Sequence, residues 1–438
     1  MFDLPKYGKG ICLARMAELL DALAIDRAKL QERSVAITGS NGKGSTAAFC
    51  ASIGRAYGLR TGLFTSPHLF RVNERFQIDG APIADPALNE LVRRIGTTID
   101  TVSRKRREQF GAFEAMFALA CLYFQESDCE IMVFEAGIGG RYDPVRLLGS
   151  RTTSVASVDY EHVELLGHSL ELIVSDKSDA CASGGTIVYG ENCRHLRAHI
   201  IEYNRNRNVE SLFVRDEVGI SNESIAAAGQ SFDFAFRDHH FRALEVALPG
   251  GFQLNNAAIA AALVLRWLER ARPGGAASRI EAAVRAGLSA TRWPGRLETI
   301  AQDPLTIIDV GHTPDGIRQS LTALKQIYGE GNWILVMGVS FDKKTEEIAG
   351  ALAPAFDTII CTSAHHKGSD SAALAGTMRG LNPQARVEIA ATIDQAFDAS
   401  RTLAASLKLR IYVAGGLFTA IEFAAVARGL DPGKLLFF

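Results

Sequence analysis

The stretch Val35-Ala36-Ile37-Thr38-Gly39-Ser40-Asn41-Gly42-Lys43-Gly44-Ser45-Thr46 decides the fold class. An apolar run of branched residues reads as a buried strand, a glycine-rich turn follows it directly, and hydroxyl and alanine residues then open a helix. Strand, glycine loop and helix N-terminus in that order form a phosphate cradle. The glycines let backbone N–H groups turn toward an anion, the helix offers its positive end, and Lys43 reaches the terminal phosphates. Ser45 or Thr46 is then placed to hold Mg2+. The usual loop reads G-x-x-x-x-G-K-[ST]; this one reads G-x-x-G-K-G-S, with Gly44 set between lysine and hydroxyl.

Composition bounds the partners. A chain of 438 residues exceeds one ordinary core, so two or three domains are expected. Charged residues at 22% and apolar residues at 47% give the balance of a soluble globular enzyme, and no apolar run approaches a membrane span. A formal charge of -2 without a concentrated basic block argues against a dedicated nucleic-acid binder. The Met1-Phe2-Asp3-Leu4-Pro5 start lacks a basic segment followed by an apolar core, so no signal peptide is expected. Cys12, Cys50, Cys121, Cys129, Cys181, Cys193 and Cys361 are scattered and odd in number, without C-x-x-C spacing. They read as free thiols of a cytoplasmic protein rather than as disulfides or a zinc site.

Along the chain, short apolar runs alternate with helical stretches. Strands are expected at residues 35–38, 131–135, 152–158, 186–189, 306–309, 334–337, 358–361 and 411–414, and helices at 113–124 and 255–270. That alternation predicts an α/β fold with largely parallel sheets covered on both faces. From Asn208 to Pro249 the texture turns to polar and aromatic alternation, which reads as an antiparallel appendage, and Arg272 to Ala277 reads as a loop between helices. A second α/β series begins near Trp293-Pro294-Gly295, which places one domain at residues 1–293 and another at 294–438.

Four clusters put polar chemistry at strand ends. Glu135, followed by glycines and Arg141 and Asp143, closes an apolar strand where an α/β sheet presents ligands, although a surface glutamate beside a glycine turn fits as well. Asp159-Tyr160-Glu161-His162 follows another strand; its imidazole serves a metal or phosphate, or is an ordinary hydrogen-bonded histidine. Asp309-Val310-Gly311-His312 ends a third. Arg296, after Trp293-Pro294-Gly295, offers a rigid fork for phosphate or is an exposed loop arginine.

With these clusters in order, the chain resembles the folylpolyglutamate synthase and dihydrofolate synthase family, a branch of the Mur ligase superfamily of ATP-dependent amide-forming enzymes, over nearly its whole length. The likeness rests on residues 38–46, on Gly62 to Leu69 running on to Phe76, and on Phe113-Glu114. It continues through Glu135 to Asp143, His162 with Lys177 fifteen residues on, Gln253 to Ala257, Arg292 to Glu298, Asp309 to His312, Phe341-Asp342-Lys343 and Gly415 to Phe418.

The resemblance implies a P-loop Mur-ligase-type ATPase domain with a small antiparallel appendage, followed by a smaller Rossmann-like domain. It implies ATP and Mg2+, one or two ions, with L-glutamate and a pterin or other carboxylate acceptor as substrates of a monomer. The acceptor carboxylate takes the γ-phosphoryl group of ATP, and an amine then displaces phosphate. ATP contacts fall on Gly39, Asn41, Gly42, Lys43, Gly44, Ser45, Thr46, Asn256, Arg296, Asp309 and His312. Metal ligation falls on Ser45, Glu135, His162 and Lys177, the last as a carbamate, and catalytic roles on Lys43, His162 and Lys177. Ser66, Pro67, His68 and Arg75 match the acceptor loop, where Phe64, Phe70 and Phe76 either stack on a flat heterocycle or fill the core.

Several positions depart from the family's pattern. Glu161 stands for its usual aspartate, Pro144-Val145-Arg146 for small polar residues and asparagine, Thr313 for asparagine, and Gly416 and Phe418 for serine and tyrosine. The ATP-side positions are kept, so a ligase is expected; the acceptor is left open between a pterin and another carboxylate. A non-catalytic ATP-binding module is the alternative outside enzymes.

Overall fold

Strand β1 (Ser34–Thr38) is buried along its whole length, as a strand covered on both faces must be. Val35 and Ile37 point into one core, shared with the helices Lys43–Ala56 and Phe252–Ala271. Ala36 points into the other, shared with the helices Asp85–Arg106 and Ala112–Glu126. The computed structural model describes Leu4, residues 12–226 and residues 229–437, so most of the Met1–Pro5 start lies outside the described residues.

The first sheet is built from β1, β2 (Thr61–Phe64), β3 (Phe76–Ile78), β4 (Ala81–Pro82), β5 (Ile131–Glu135), β6 (Thr152–Val155), β7 (Thr186–Tyr189) and β8 (Glu210–Phe213), in the order β4-β3-β2-β5-β1-β6-β7-β8. It is parallel except for the hairpin at β3 and β4. β6 ends three residues before the expected Val158, because the chain beyond it turns its hydrogen bonds to the glycine loop: Ala156 N donates to Thr38 O, and Ser40 N to Ser157 O.

The appendage is a three-stranded antiparallel sheet of β9 (Val218–Ala226), β10 (Gly229–Phe236) and β11 (His239–Val246). Alternate residues of β10, Phe232, Phe234 and Phe236, are buried in the core shared with Phe252–Ala271. The appendage starts later than expected from Asn208. Glu210–Phe213 instead pairs parallel with β7 as the edge of the first sheet, and its exposed outer half explains the polar texture.

The second sheet comprises β12 (Glu298–Gln302), β13 (Leu305–Ile308), β14 (Trp333–Met337), β15 (Thr358–Cys361), β16 (Arg386–Ile389) and β17 (Arg410–Ala414), in the order β12-β13-β17-β14-β15-β16. Only β12 is antiparallel, and helices cover both faces. Both sheets thus carry their chemistry at carboxyl edges, where α/β sheets bind ligands.

Packing behind the glycine loop is tight. Helix Ala277–Ala290 meets helix Lys43–Ala56 at Gly287, where an added Cβ falls 2.5 Å from Ile53 Cα, and Ser52 Oγ donates to Gly287 O. Gly287→Ala therefore forces two helix backbones apart. Overpacking of this kind costs about 1–3 kcal/mol, and the midpoint of thermal unfolding is expected to fall by several degrees.

Candidate active site

Gly42 caps the helix Lys43–Ala56 in the left-handed region, at φ +84°, and an added Cβ there falls 2.6 Å from Asn256 Oδ1. Gly44, the extra glycine, lies under the indole of Trp293: a Cβ would fall 3.0 Å from its Nε1. The unusual spacing of the loop therefore follows from a ring packed on the first turn of the helix. Lys43 Nζ is held by the carbonyls of Gly39 at 2.7 Å and Ser40 at 3.1 Å. Ser45 Oγ faces the cleft and accepts from Gln253 Nε2, whose Oε1 accepts from Asn256 Nδ2. The side chain of Thr46 is fully buried behind the loop, so of the two hydroxyls only Ser45 reaches the cleft. Gly39 also sits behind the cleft wall and acts through its carbonyl.

The cleft, of about 1080 Å³, is lined from both sheets. From the first comes Glu135, 5% exposed, with Oε2 accepting from Ser66 N at 2.9 Å. Burial pushes its carboxyl up, against the pull of Lys43, Arg296 and Arg75. Asp143 closes the neighbouring turn by accepting from the amides of Gly137, Ile138 and Val145, with burial raising its pKa to about 6. Ser66, Pro67 and Arg75 reach the cleft; His68 is buried behind them.

Lys177 is also withdrawn from the surface. Its ammonium is 2.6 Å from Glu161 Oε1, and its side chain is 1% exposed. Burial lowers the Lys177 pKa although Glu161 opposes it, whereas burial of Glu161 is outweighed by Lys177 and Lys43, which hold that carboxyl at about 2. The two directions pull apart: the depressed Glu161 carboxyl is ionised at neutral pH, whereas burial works against the Lys177 ammonium that it faces. Glu161 and the neighbouring His162 line the cleft, and His162 takes φ +45° at the start of a short helix.

From the second sheet come Arg296, Asp309 and His312. Asp309 is 1% exposed and accepts from Leu297 N, Gly311 N and Ser320 Oγ. His312 is accessible within the cleft, and the surrounding protein with Lys343 holds its imidazole below the usual range. Thr313 Oγ1 donates to Asn41 Oδ1 at 3.1 Å, a direct link from the second sheet to the glycine loop.

Phe64 and Phe76 are fully buried and pack with one another, at 5.7 Å, and Phe64 packs also with Phe113, Phe117 and Phe134, so they are core and not a platform for a heterocycle. Phe70 packs under Arg428. The contacts of Trp293, Gln253 and Thr313 join residues more than two hundred positions apart and carry no local signal; Lys343 had one, its place in the Phe341-Asp342-Lys343 motif.

The donor set suits a hard cation. Ser45 Oγ and the buried Glu135 carboxyl offer oxygen donors in the same cleft, whereas Lys177 offers only an ammonium, which would repel a metal. No cluster of three or more His, Cys, Asp or Glu side chains able to hold a metal by themselves occurs among the described residues, so an ion here would need phosphate oxygens as further ligands.

Residues 295–416 match the Mur ligase, glutamate ligase domain. The chain is 31% identical to the folylpolyglutamate synthase of Lacticaseibacillus casei over 358 residues, 82% of each chain. It is 30% identical to the dihydrofolate synthase/folylpolyglutamate synthase of Bacillus subtilis over 340 residues, 77% of each. Its fold superposes on Mycobacterium tuberculosis folylpolyglutamate synthase complexed with ADP with a TM-score of 0.87 and 25% identity, covering 98% of this chain and 96% of that one.

Glu161→Gln removes the carboxylate from a buried ammonium. Breaking such a pair from one side costs about 3–5 kcal/mol, to be read from urea unfolding at pH 7 without nucleotide or metal. The sign with pH follows from the depressed carboxyl. Its folded pKa of about 2 lies below the roughly 4.3 of a free glutamate. The stabilisation is therefore present above pH of about 4 and is lost as pH falls toward 2. Glu161→Gln lacks that component.

Proposed function

Because the chain belongs to the folylpolyglutamate synthase and dihydrofolate synthase family, an ATP-dependent ligase lineage, we propose that its cleft joins L-glutamate to the carboxylate of a pterin acceptor, dihydropteroate or a reduced folate. The observation that carries the reading is the meeting of a lysine-bearing phosphate loop and Glu135 with Arg296, Asp309 and His312 across one cleft.

The chemistry runs in two steps. An acceptor carboxylate oxygen bonds to the γ-phosphorus as the bridge to the β-phosphate breaks and ADP leaves. The glutamate amine then bonds to the acyl carbon, inorganic phosphate leaves, and the amine's proton passes to solvent or a base. Phosphoryl transfer is mainly positioning and charge neutralisation, which the loop amides, Lys43 and Arg296 supply. Mg2+ held by Ser45 and Glu135 would neutralise phosphate charge when bound. Residues of the second sheet exclude water from the acyl phosphate, which otherwise hydrolyses.

The division into residues 1–293 and 294–438 belongs to the same reading, supported by a second sheet whose strands begin with Glu298 and lie wholly after residue 294. So does a monomer in the cytoplasm. Seven free cysteines support a reducing compartment, and no helix among the described residues is long and apolar enough to cross a membrane. A different carboxylate acceptor is the second reading, favoured by Pro144, a departure from the family's pattern that lines the same cleft as Glu135.

Dihydropteroate, L-glutamate and ATP are expected to give ADP, phosphate and a product heavier by one glutamyl unit in mass spectrometry. Lys43→Ala is expected to lose about a hundredfold or more in turnover with an unchanged melting temperature. Turnover of an unrelated carboxylate with failure of every pterin selects the second reading.

Lys177 carbamylation completes the proposal. Burial disfavours the ammonium, the neutral amine adds CO2 with loss of a proton, and the carbamate becomes an oxygen ligand near His162. The Glu161 pair opposes this, so the modification is expected only when nucleotide and Mg2+ compensate two adjacent anions. Nuclear magnetic resonance with 13C-bicarbonate is expected to show a carbamate carbon in the loaded chain, absent from Lys177→Ala; its absence in both overturns the role.

A further inference from the structure

Two loops leave the carboxyl edge of the second sheet side by side, one after β14 and one after β15, which are paired in parallel. They are stitched together beyond the strands: Ser369 N donates to Val339 O, Phe341 N donates to Lys367 O, and Ser340 bridges Gly368. Ser340, Asp342 and Lys343 of the first loop and Lys367 of the second all line the cleft. Burial first, and then the charge of Lys343, lower the imidazole pKa of both His162 and His312, which places that lysine among the nucleotide and metal residues. Lys367 is left over: neither phosphoryl transfer nor metal binding calls on it.

The loop that carries Lys367 is held from beneath by an acid. Glu422, on the helix Leu417–Ala427, is fully buried and reaches two successive amides: Oε2 accepts from His365 N at 2.7 Å, and Oε1 from His366 N at 2.9 Å. The His366 ring packs at 4.4 Å on Phe418, a cleft residue of the same helix. Gly368 is wedged so tightly that an added Cβ would fall 2.3 Å from both Ala364 O and Ser363 Oγ. Between these anchors Lys367 takes φ +56°, a conformation that residues with a side chain seldom adopt without such constraint. Its ammonium lies 3.8 Å from Asp342 Oδ2, and both side chains are partly open to water. A pair that long and that exposed contributes little, so an arriving carboxylate displaces it at small cost.

The floor beside Ser340 is open as well. At Gly416, where the family's pattern has serine, an added Cβ would meet nothing nearer than Gly338 O at 3.8 Å and Ser340 Oγ at 4.0 Å. The amino acid that enters this cleft must keep its amine free for the acyl carbon, so it is gripped through its carboxylates. A cation beside it also favours loss of the ammonium proton.

Resting on the reading of this cleft as a glutamate ligase, we propose that Lys367 holds a carboxylate of the incoming L-glutamate, and that Glu422 is a positioning residue that fixes the loop presenting it. The amine then approaches the acyl carbon from the wall opposite the phosphate loop.

Three variants test it. Lys367→Gln is expected to raise KM for L-glutamate roughly tenfold, the loss of one charge-assisted contact, with KM for ATP and for dihydropteroate within about twofold of the parent. Lys367→Arg, which keeps the charge, is expected to recover most of that loss. Glu422→Gln is expected to raise KM for L-glutamate alone and to speed hydrogen exchange at the His365 and His366 amides. An unchanged KM for L-glutamate in Lys367→Gln, or a rise shared by ATP or dihydropteroate, overturns the proposal. A second arm needs no turnover: equilibrium dialysis of radiolabelled L-glutamate against the chain loaded with a non-hydrolysable ATP analogue. The parent and Lys367→Arg are expected to bind it and Lys367→Gln to bind about tenfold more weakly; equal binding by Lys367→Gln, or none by the parent, overturns the assignment. If the parent joins glutamate to no pterin, the acceptor reading falls on product mass while the dialysis still decides the role of Lys367.

Discussion

Charge taken out of water must be answered by charge or by hydrogen bonds, and the cleft is organised around that requirement. Glu135 ends a strand buried on both faces, where burial raises its pKa against the opposing pull of Lys43, Arg296 and Arg75. Lys177 is deeper still and is matched by Glu161; Asp309 is matched by two backbone amides and a hydroxyl. Lys43 is held by carbonyls of its own loop, partners that an arriving phosphate can replace at little cost because both offer only acceptor oxygens. A polyphosphate arriving here would meet cations that are already placed, and preorganisation of that kind lowers the cost of building up charge during phosphoryl transfer.

The glycine loop is held from several sides so that this arrangement persists. Asn41 exchanges backbone bonds with the Ser157 hydroxyl, and Ser40 Oγ accepts from Asp159 N, which ties the loop to the end of β6. Asn41 Oδ1 takes the Thr313 hydroxyl from the second sheet. Thr313 replaces an asparagine of the family's pattern, and its shorter side chain still reaches because it also caps the helix Pro314–Tyr328 by accepting from Gly316 N.

What was legible in the sequence was local. β1, β5, β7 and β15 are short runs of branched residues that only a strand covered on both faces would contain, and the strand–glycine–helix order placed the phosphate loop. Edge strands such as β8 and β16 were obscured because their outer halves face solvent, so they share the polar texture of loops. Phe64 and Phe76 were ambiguous for another reason: an aromatic ring suits a ligand platform and a core equally until its neighbours are known. Thr46 and Ser45 are adjacent hydroxyls, and only the rotation of the helix decides which faces the cleft. The partnership of His68 with Leu436 had no signal at all, since one partner is a backbone carbonyl that any residue supplies.

The indole over Gly44 sits where the chain leaves the first sheet for the second, so the connection between the two sheets begins against the phosphate loop itself. The chain has three tryptophans. Trp267 and Trp333 are sealed in the two cores, while Trp293 alone is partly open and borders the nucleotide loop. A quencher dissolved in the solvent reaches that ring and not the two sealed ones, so the quenchable part of the emission is a built-in optical gauge of the loop, read without any label attached to the chain.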